Sequence, residues 1–160
     1  MDNLTPMAPY LDTKRAGDRP RATRTNPHTQ LDQQAPPEVQ ERLFAVLRTF
    51  PGVVLGPSHV SVPGTRALHL PGCQRPAEAG FMIEREFAHQ HPPSDGSLHM
   101  SLPPAIVQTV IDNGWAERHP LAGKYGLPAN IVMVYGPRDE GELAIVGALA
   151  RASHAAACQR

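Results

Sequence analysis

Residues 81–103, FMIEREFAHQHPPSDGSLHMSLP, constrain the fold more than any other stretch of the chain. The run alternates up to His91, turns through Pro92-Pro93-Ser94-Asp95-Gly96 and resumes alternation to Leu102. A period of two is the pattern of a half-buried strand, because successive side chains leave opposite faces. Two such runs joined by Pro, Ser, Asp and Gly read as neighbouring antiparallel strands. Strict alternation puts Ile83, Arg85, Phe87, His89 and His91 on one face, with Met82, Glu84, Glu86, Ala88 and Gln90 on the other. After the turn, Leu98, Met100 and Leu102 share a face opposite Ser97, His99 and Ser101. If the leucines enter the same core as Phe87, His99 points away from His89 and His91. Two imidazoles beside Phe87 are unusual on a plain surface strand, so the chemistry is expected there.

The flanking sequence supplies the rest of a domain. Pro36-Pro37 open a helix in which Val39, Leu43, Phe44, Val46, Leu47 and Phe50 form an apolar stripe, and Pro51-Gly52 ends it. Short strands are expected at 53–55, 58–62 and 65–70, with Pro63-Gly64 reversing the chain between the last two. In that hairpin His59 and His69 face solvent. Pro103-Pro104 begin a second helix that buries Ile106, Val107, Val110 and Ile111 and stops at Asn113-Gly114. Residues 115–123 look irregular, and Trp115 reads as a core plug rather than a substrate platform. Ile131 to Tyr135 is a buried strand, and Asp139 with Glu142 caps a last helix over 140–155. Clustered strands with non-alternating helices predict an α+β fold: an antiparallel sheet of about four to six short strands and about three helices.

Residues 1–35 lack either periodicity and carry Pro6, Pro9, Pro20 and Pro27 among scattered Arg and Lys. Too little apolar area is available to offset chain entropy, so this arm, His28 included, is expected to be disordered or ordered by a partner. Residues 36–157 form the single domain. The formal net charge is zero, which removes the field that recruits nucleic acid or anionic membrane. No apolar run approaches the ~20 residues that span a bilayer, and the N-terminus lacks a signal-peptide core. A soluble, cytoplasmic protein is expected, with the oligomeric state left open and a homodimer among the options. Cys73 and Cys158 are read as free thiols, bystanders to the chemistry.

Three readings fit the histidines. His89-x-His91 places two imidazoles on one strand face, and a third from His119, His59 or His99 would complete a site for a single transition metal (Zn, Fe or Cu) with an open position; the strand faces favour His119 or His59 unless a bulge resets the phase. Without a metal, the same histidines serve as acid–base groups, with Glu86, Tyr135 and Arg138 as partners for them or for an anionic substrate. Clean alternation sets Glu86 opposite His89 and counts against a direct pair. Structurally, buried histidines bond to carbonyls and lock the hairpin, and Arg138 pairs with Asp139 or Glu142. No glycine-rich phosphate loop, flavin or nucleotide motif, GxSxG elbow or HExxH is present.

The ordered motifs REFAHQH (85–91), DGSLH (95–99), GWAERHP (114–120) and VYGPRD (134–139) resemble the small luciferase-domain family over about residues 37–155. The resemblance implies that His89, His91 and the His119 region recur together, with Glu86 and the segment near His59 as weaker members, while His99 falls where relatives vary. The family name implies oxidative chemistry, so an oxidoreductase is expected, with an isomerase or cyclase as the other enzyme class. The substrate is a small organic molecule, lipid- or polyketide-like given an apolar face with few polar groups. A non-catalytic ligand-binding or scaffold protein stands as the alternative. So does a cupin-like metal-dependent oxygenase, although a glutamate shortly after His91 is missing.

Overall fold

A computed structural model describes residues 8–160. Six strands form one antiparallel sheet: β1 (Val54–Pro57), β2 (Arg66–His69), β3 (Glu86–Gln90), β4 (Leu98–Ser101), β5 (Ala116–Arg118) and β6 (Ile131–Val134). Their spatial order is β1-β2-β3-β4-β6-β5. The helices are α1 (Pro9–Asp12), α2 (Pro37–Leu47), α3 (Pro104–Asp112) and α4 (Glu140–Ala157). The fold is α+β, as the clustered strands predict.

One face of the sheet is the apolar core. Leu68, Ala88, Met100, Val132 and Ala116 join Leu43 and Leu47 of α2 and Val146 and Leu149 of α4 in a single buried cluster. Trp115 plugs this core and donates its indole N–H to the Thr13 carbonyl at 2.7 Å. Asp139 caps α4, its carboxylate accepting the Glu142 N–H. The opposite face carries a row of cross-strand partners: Ala67, His89, His99, Met133 and Glu117. Partners directly opposite in an antiparallel pair share a face, so this row belongs wholly to the side away from the helices.

Several expectations are corrected. Residues 58–62 form no strand; β1 pairs directly with β2, and 58–65 is the loop between them. Residues 116–118, expected as irregular, form edge strand β5. Residues 8–35 do not stand apart as a disordered arm but lie along the domain, and residues 1–7 fall outside the described part. Arg19 donates to the Ala116 carbonyl at 2.7 Å, and Arg15 is buried. A tight reversal at 21–31, closed by Leu31 N–H to Arg21 O and Thr23 N–H to Thr29 O, carries His28 over the sheet. The apolar area missing from the arm itself is supplied by the domain it covers. Cys73 and Cys158, expected as free thiols, are joined in a disulfide. The loop after β2 runs beside the end of α4, with Ala77 N–H on Ala157 O and Gln159 N–H on Arg75 O, and this brings the two sulfurs together. Among the described residues no helix is long and apolar enough to cross a membrane.

Candidate functional site

A bulge in β3 brings Glu86 to the polar side of the sheet and sends Phe87 to the core. Leu68 pairs with Ala88 but His69 pairs with Glu86, so Phe87 is an extra residue on β3. A bulge of this kind resets the alternation by one residue. Phe87 and Ala88 both enter the helix-side core, and Glu86 emerges on the same face as His89. Two expectations fail for this one reason. Glu86 Oε2 lies 2.7 Å from His89 Nδ1, although alternation had separated them. His99, expected to point away, is the direct cross-strand partner of His89.

The hairpin turn sets the next pair. Asp95 Oδ2 lies 2.9 Å from His91 Nδ1, and Asp95 Oδ1 accepts the Ser97 hydroxyl at 2.6 Å. Gly96 follows with a positive φ of 75°, where a Cβ would meet the Gln40 amide nitrogen at 2.5 Å. His89 Nε2 is 3.1 Å from His99 Nδ1, and His99 Nε2 is 2.9 Å from His28 Nδ1. Each of His89, His91 and His99 offers a nitrogen within 4.8 Å of those of the other two, a group able to hold a metal ion; His28, His99 and His119 form a second such group.

His119 is chemically unlike the others. Its Nδ1 accepts the Leu121 N–H at 3.0 Å, so the one proton of the neutral ring sits on Nε2. Burial, then the neighbouring His28, His89 and His91, push its pKa from 6.5 down to about 4 and keep it neutral. Such a ring presents an N–H donor, which suits a ligand oxygen better than a cation.

Electrostatics set the depressed rings of His89, His99 and His119 against charged carboxylates. Burial drives His99 well below the usual imidazole range, helped by His91 and His89. His89 also falls, through burial opposed by its bond to Glu86. Burial raises Glu86, but bonds from His89, the His59 N–H and the Ser58 hydroxyl outweigh it and hold the carboxyl below its ordinary value. Asp95 follows the same pattern, with His91 and Ser97 overcoming its burial. Above the rings opens a cavity of about 410 Å³ walled by Val60, Val62, Met82, Leu121, Leu127 and Ile131, with His28, His89, His91, His99 and His119 among its lining.

Of the candidates expected from sequence, the fold brings together His89, His91, His119 and Glu86. His59 stays outside: its ring is half-exposed and lies 3.4 Å from Glu84, while only its backbone N–H reaches Glu86. Tyr135 is buried beside the arm, where its hydroxyl takes a bond from Arg19, and Arg138 chelates Glu142; neither lines the cavity. Sequence reasoning misses His28, Asp95 and Glu117, and its strand-face argument sets His99 aside, a correction that the β3 bulge makes.

Comparison with known proteins covers part of this site, including Glu86, His89, His91, Asp95, His99 and His119. Residues 84–153 match the family model described as Luciferase domain, a stretch running from just before β3 into α4. Over 72 residues the chain is 42% identical to the luciferases of Armillaria gallica and Armillaria mellea and 39% identical to that of Neonothopanus nambi. These alignments cover 44% of this chain and 27% of each relative, so the match spans little more than a quarter of their length. The resemblance carried by the motifs therefore holds over 84–153, and His28 lies outside it. No solved structure matches.

Proposed function

We propose that this protein is a small-molecule enzyme whose reaction centre is a transition metal held by His89, His91 and His99, with the substrate in the cavity above. One observation carries the reading. His89 and His91 each have Nδ1 beside a buried carboxylate, Glu86 and Asp95, and His89 Nε2 turns to His99 Nδ1 at 3.1 Å, within a trio of rings whose nitrogens can hold one ion. Metal-binding histidines characteristically give their other N–H to a carboxylate, which fixes the tautomer and makes the ligating nitrogen more basic. Burial holds His89 and His99 below the usual imidazole range, which favours the neutral state that ligation requires. Imidazole sets of this kind suit zinc, iron or copper, and a bound ion would supply Lewis-acid or one-electron chemistry.

The chain's own residues do the remainder. The apolar walls exclude water and favour a small organic substrate, and the volume lies in the range of ordinary small-molecule sites. His119 donates its Nε2–H to a polar atom of that substrate. From the relatives' name we carry over an oxidative class of reaction and leave light emission to those longer proteins. The test is elemental analysis of untagged protein after reconstitution with Zn, Fe or Cu, beside His89→Ala, His91→Ala and His99→Ala. One ion per chain, lost in folded variants, is expected; less than a tenth of an ion in the unaltered protein overturns the metal reading. A metal-free acid–base reading is favoured by the unbroken chain Glu86–His89–His99–His28, along which a proton can pass. It takes over if no ion binds.

A further inference from the structure

We infer that His28, brought in by the N-terminal arm, is the positioning residue for His99 and links it to Glu117, so that the arm completes the metal site. The inference rests on the metal reading above. His89 has Glu86 behind it and His91 has Asp95, but His99 has no carboxylate of its own. Its Nε2 faces His28 Nδ1 at 2.9 Å, and His28 Nε2 lies 3.6 Å from Glu117 Oε1. That oxygen is, among the described residues, the one buried carboxylate oxygen without a hydrogen-bond partner.

The sheet explains why a ring must be inserted. Glu117 sits in the same row as His99 but two strands away, with Met133 between them. At roughly 4.8 Å per strand the backbones are about 10 Å apart, too far for a carboxylate to reach the imidazole. His28 spans this gap from above the sheet, buried and stacked on His99 at 5.1 Å between ring centres. The reversal at 21–31 holds it there, with the Gln30 amide oxygen accepting the Gly136 N–H at 3.0 Å.

Two proton arrangements fit the same heavy atoms. In one, His99 Nδ1–H donates to His89 Nε2 and His28 Nδ1–H donates to His99 Nε2, which leaves Glu117 Oε1 without a donor. In the other, His99 keeps its proton on Nε2 and donates to His28 Nδ1, while His28 carries its own proton on Nε2, turned toward Glu117. Each ring holds one proton in both. Only the second gives Glu117 a donor and frees His99 Nδ1 for a metal, and it calls for a cation there, since the lone pairs of His89 Nε2 and His99 Nδ1 then face each other at 3.1 Å. His28 is therefore the element that selects the ligating tautomer of His99.

The experiment is a Co(II) titration of the full untagged chain, read by its visible absorption and by competition with a chelator. His28→Phe keeps a ring in place without the bonds, and Glu117→Gln removes the terminal acceptor charge. Both are expected to weaken affinity by about 10- to 100-fold while still binding one ion. His28→Gln, whose amide accepts from His99 and donates toward Glu117, is expected to recover affinity to within a few-fold of the unaltered chain, a rescue that mere filling of space does not produce. Unfolded variants are identified by circular dichroism, and Glu117→Gln then carries the test alone. Unaltered affinity in His28→Phe or in Glu117→Gln overturns the inference and leaves the metal reading intact. No Co(II) bound by the unaltered chain removes both.

Discussion

Replacing Glu86 by Gln tests the outer support of the site at its most buried point. The carboxylate is fully shielded and accepts three donors: His89 Nδ1–H at 2.7 Å, the Ser58 hydroxyl at 2.8 Å and the His59 N–H at 2.8 Å. An amide has one oxygen. If that oxygen serves His89 and Ser58, its NH2 opposes the His59 N–H; if it serves His59, its NH2 opposes His89. One donor loses its acceptor either way, at a cost of about 1–3 kcal/mol, partly offset because an amide is cheaper to bury than a carboxylate. A net loss of about 1–2 kcal/mol corresponds to a Tm lower by roughly 2–8 °C in a chain of this size. The effect on metal is separable. Loss of the charged bond frees His89 to turn and makes Nε2 less basic, which typically costs about 10–100-fold in affinity. Thermal denaturation with chelator present reads the first effect, and calorimetric Zn(II) titration of folded protein reads the second. Affinity unchanged within about threefold, despite a lower Tm, would refute the claim that Glu86 acts through His89 on a metal.

Three further outcomes follow from other parts of the fold. Glu142 is pushed up by burial but pulled further down by the Arg138 side chain and N–H, so its carboxyl titrates below its ordinary 4.5. A depressed carboxyl stabilises the fold above the unfolded value and loses that contribution as pH falls through the folded one. Acid denaturation below about pH 4.5 should therefore flatten in Glu142→Gln when stability is followed by circular dichroism. Replacing Cys73 and Cys158 together by Ser opens a link between residues 85 apart and should cost about 2–4 kcal/mol in urea unfolding, with an unchanged midpoint counting against a formed disulfide. Gly96→Ala forces a side chain into a position with φ of 75° and 2.5 Å from the Gln40 amide, and should cost more than about 1 kcal/mol. Because Gly96 adjoins Asp95, metal affinity should fall as well; an unaltered titration would detach this turn from the site.

The element types were readable because they depend on local periodicity, and most of the helices and the central hairpin stand where the patterns put them. The face assignments failed at one residue. Counting alternation through Phe87 places it with His89, because strict alternation has no place for the extra residue that the bulge adds to β3. A second constraint in the sequence was sufficient to expose the error. A hairpin centred on Ser94 pairs His91 with Ser97, Gln90 with Leu98 and His89 with His99, and opposed residues share a face whatever happens upstream. That count contradicts a core holding both Phe87 and Leu98 on the face of His89, and the contradiction itself locates an irregularity between 83 and 89. The Asp95–His91 pair was legible in the same way, since His91 enters the five-residue turn that contains Asp95. His28 was not. Its segment has no periodicity, its burial depends on a surface made by β4, β5 and β6, and its partners His99 and Glu117 are 71 and 89 positions away. A residue placed by tertiary contact alone leaves no local signature. The site thus combines a hairpin whose spacing encodes its geometry with an arm whose role emerges only once the sheet exists to receive it.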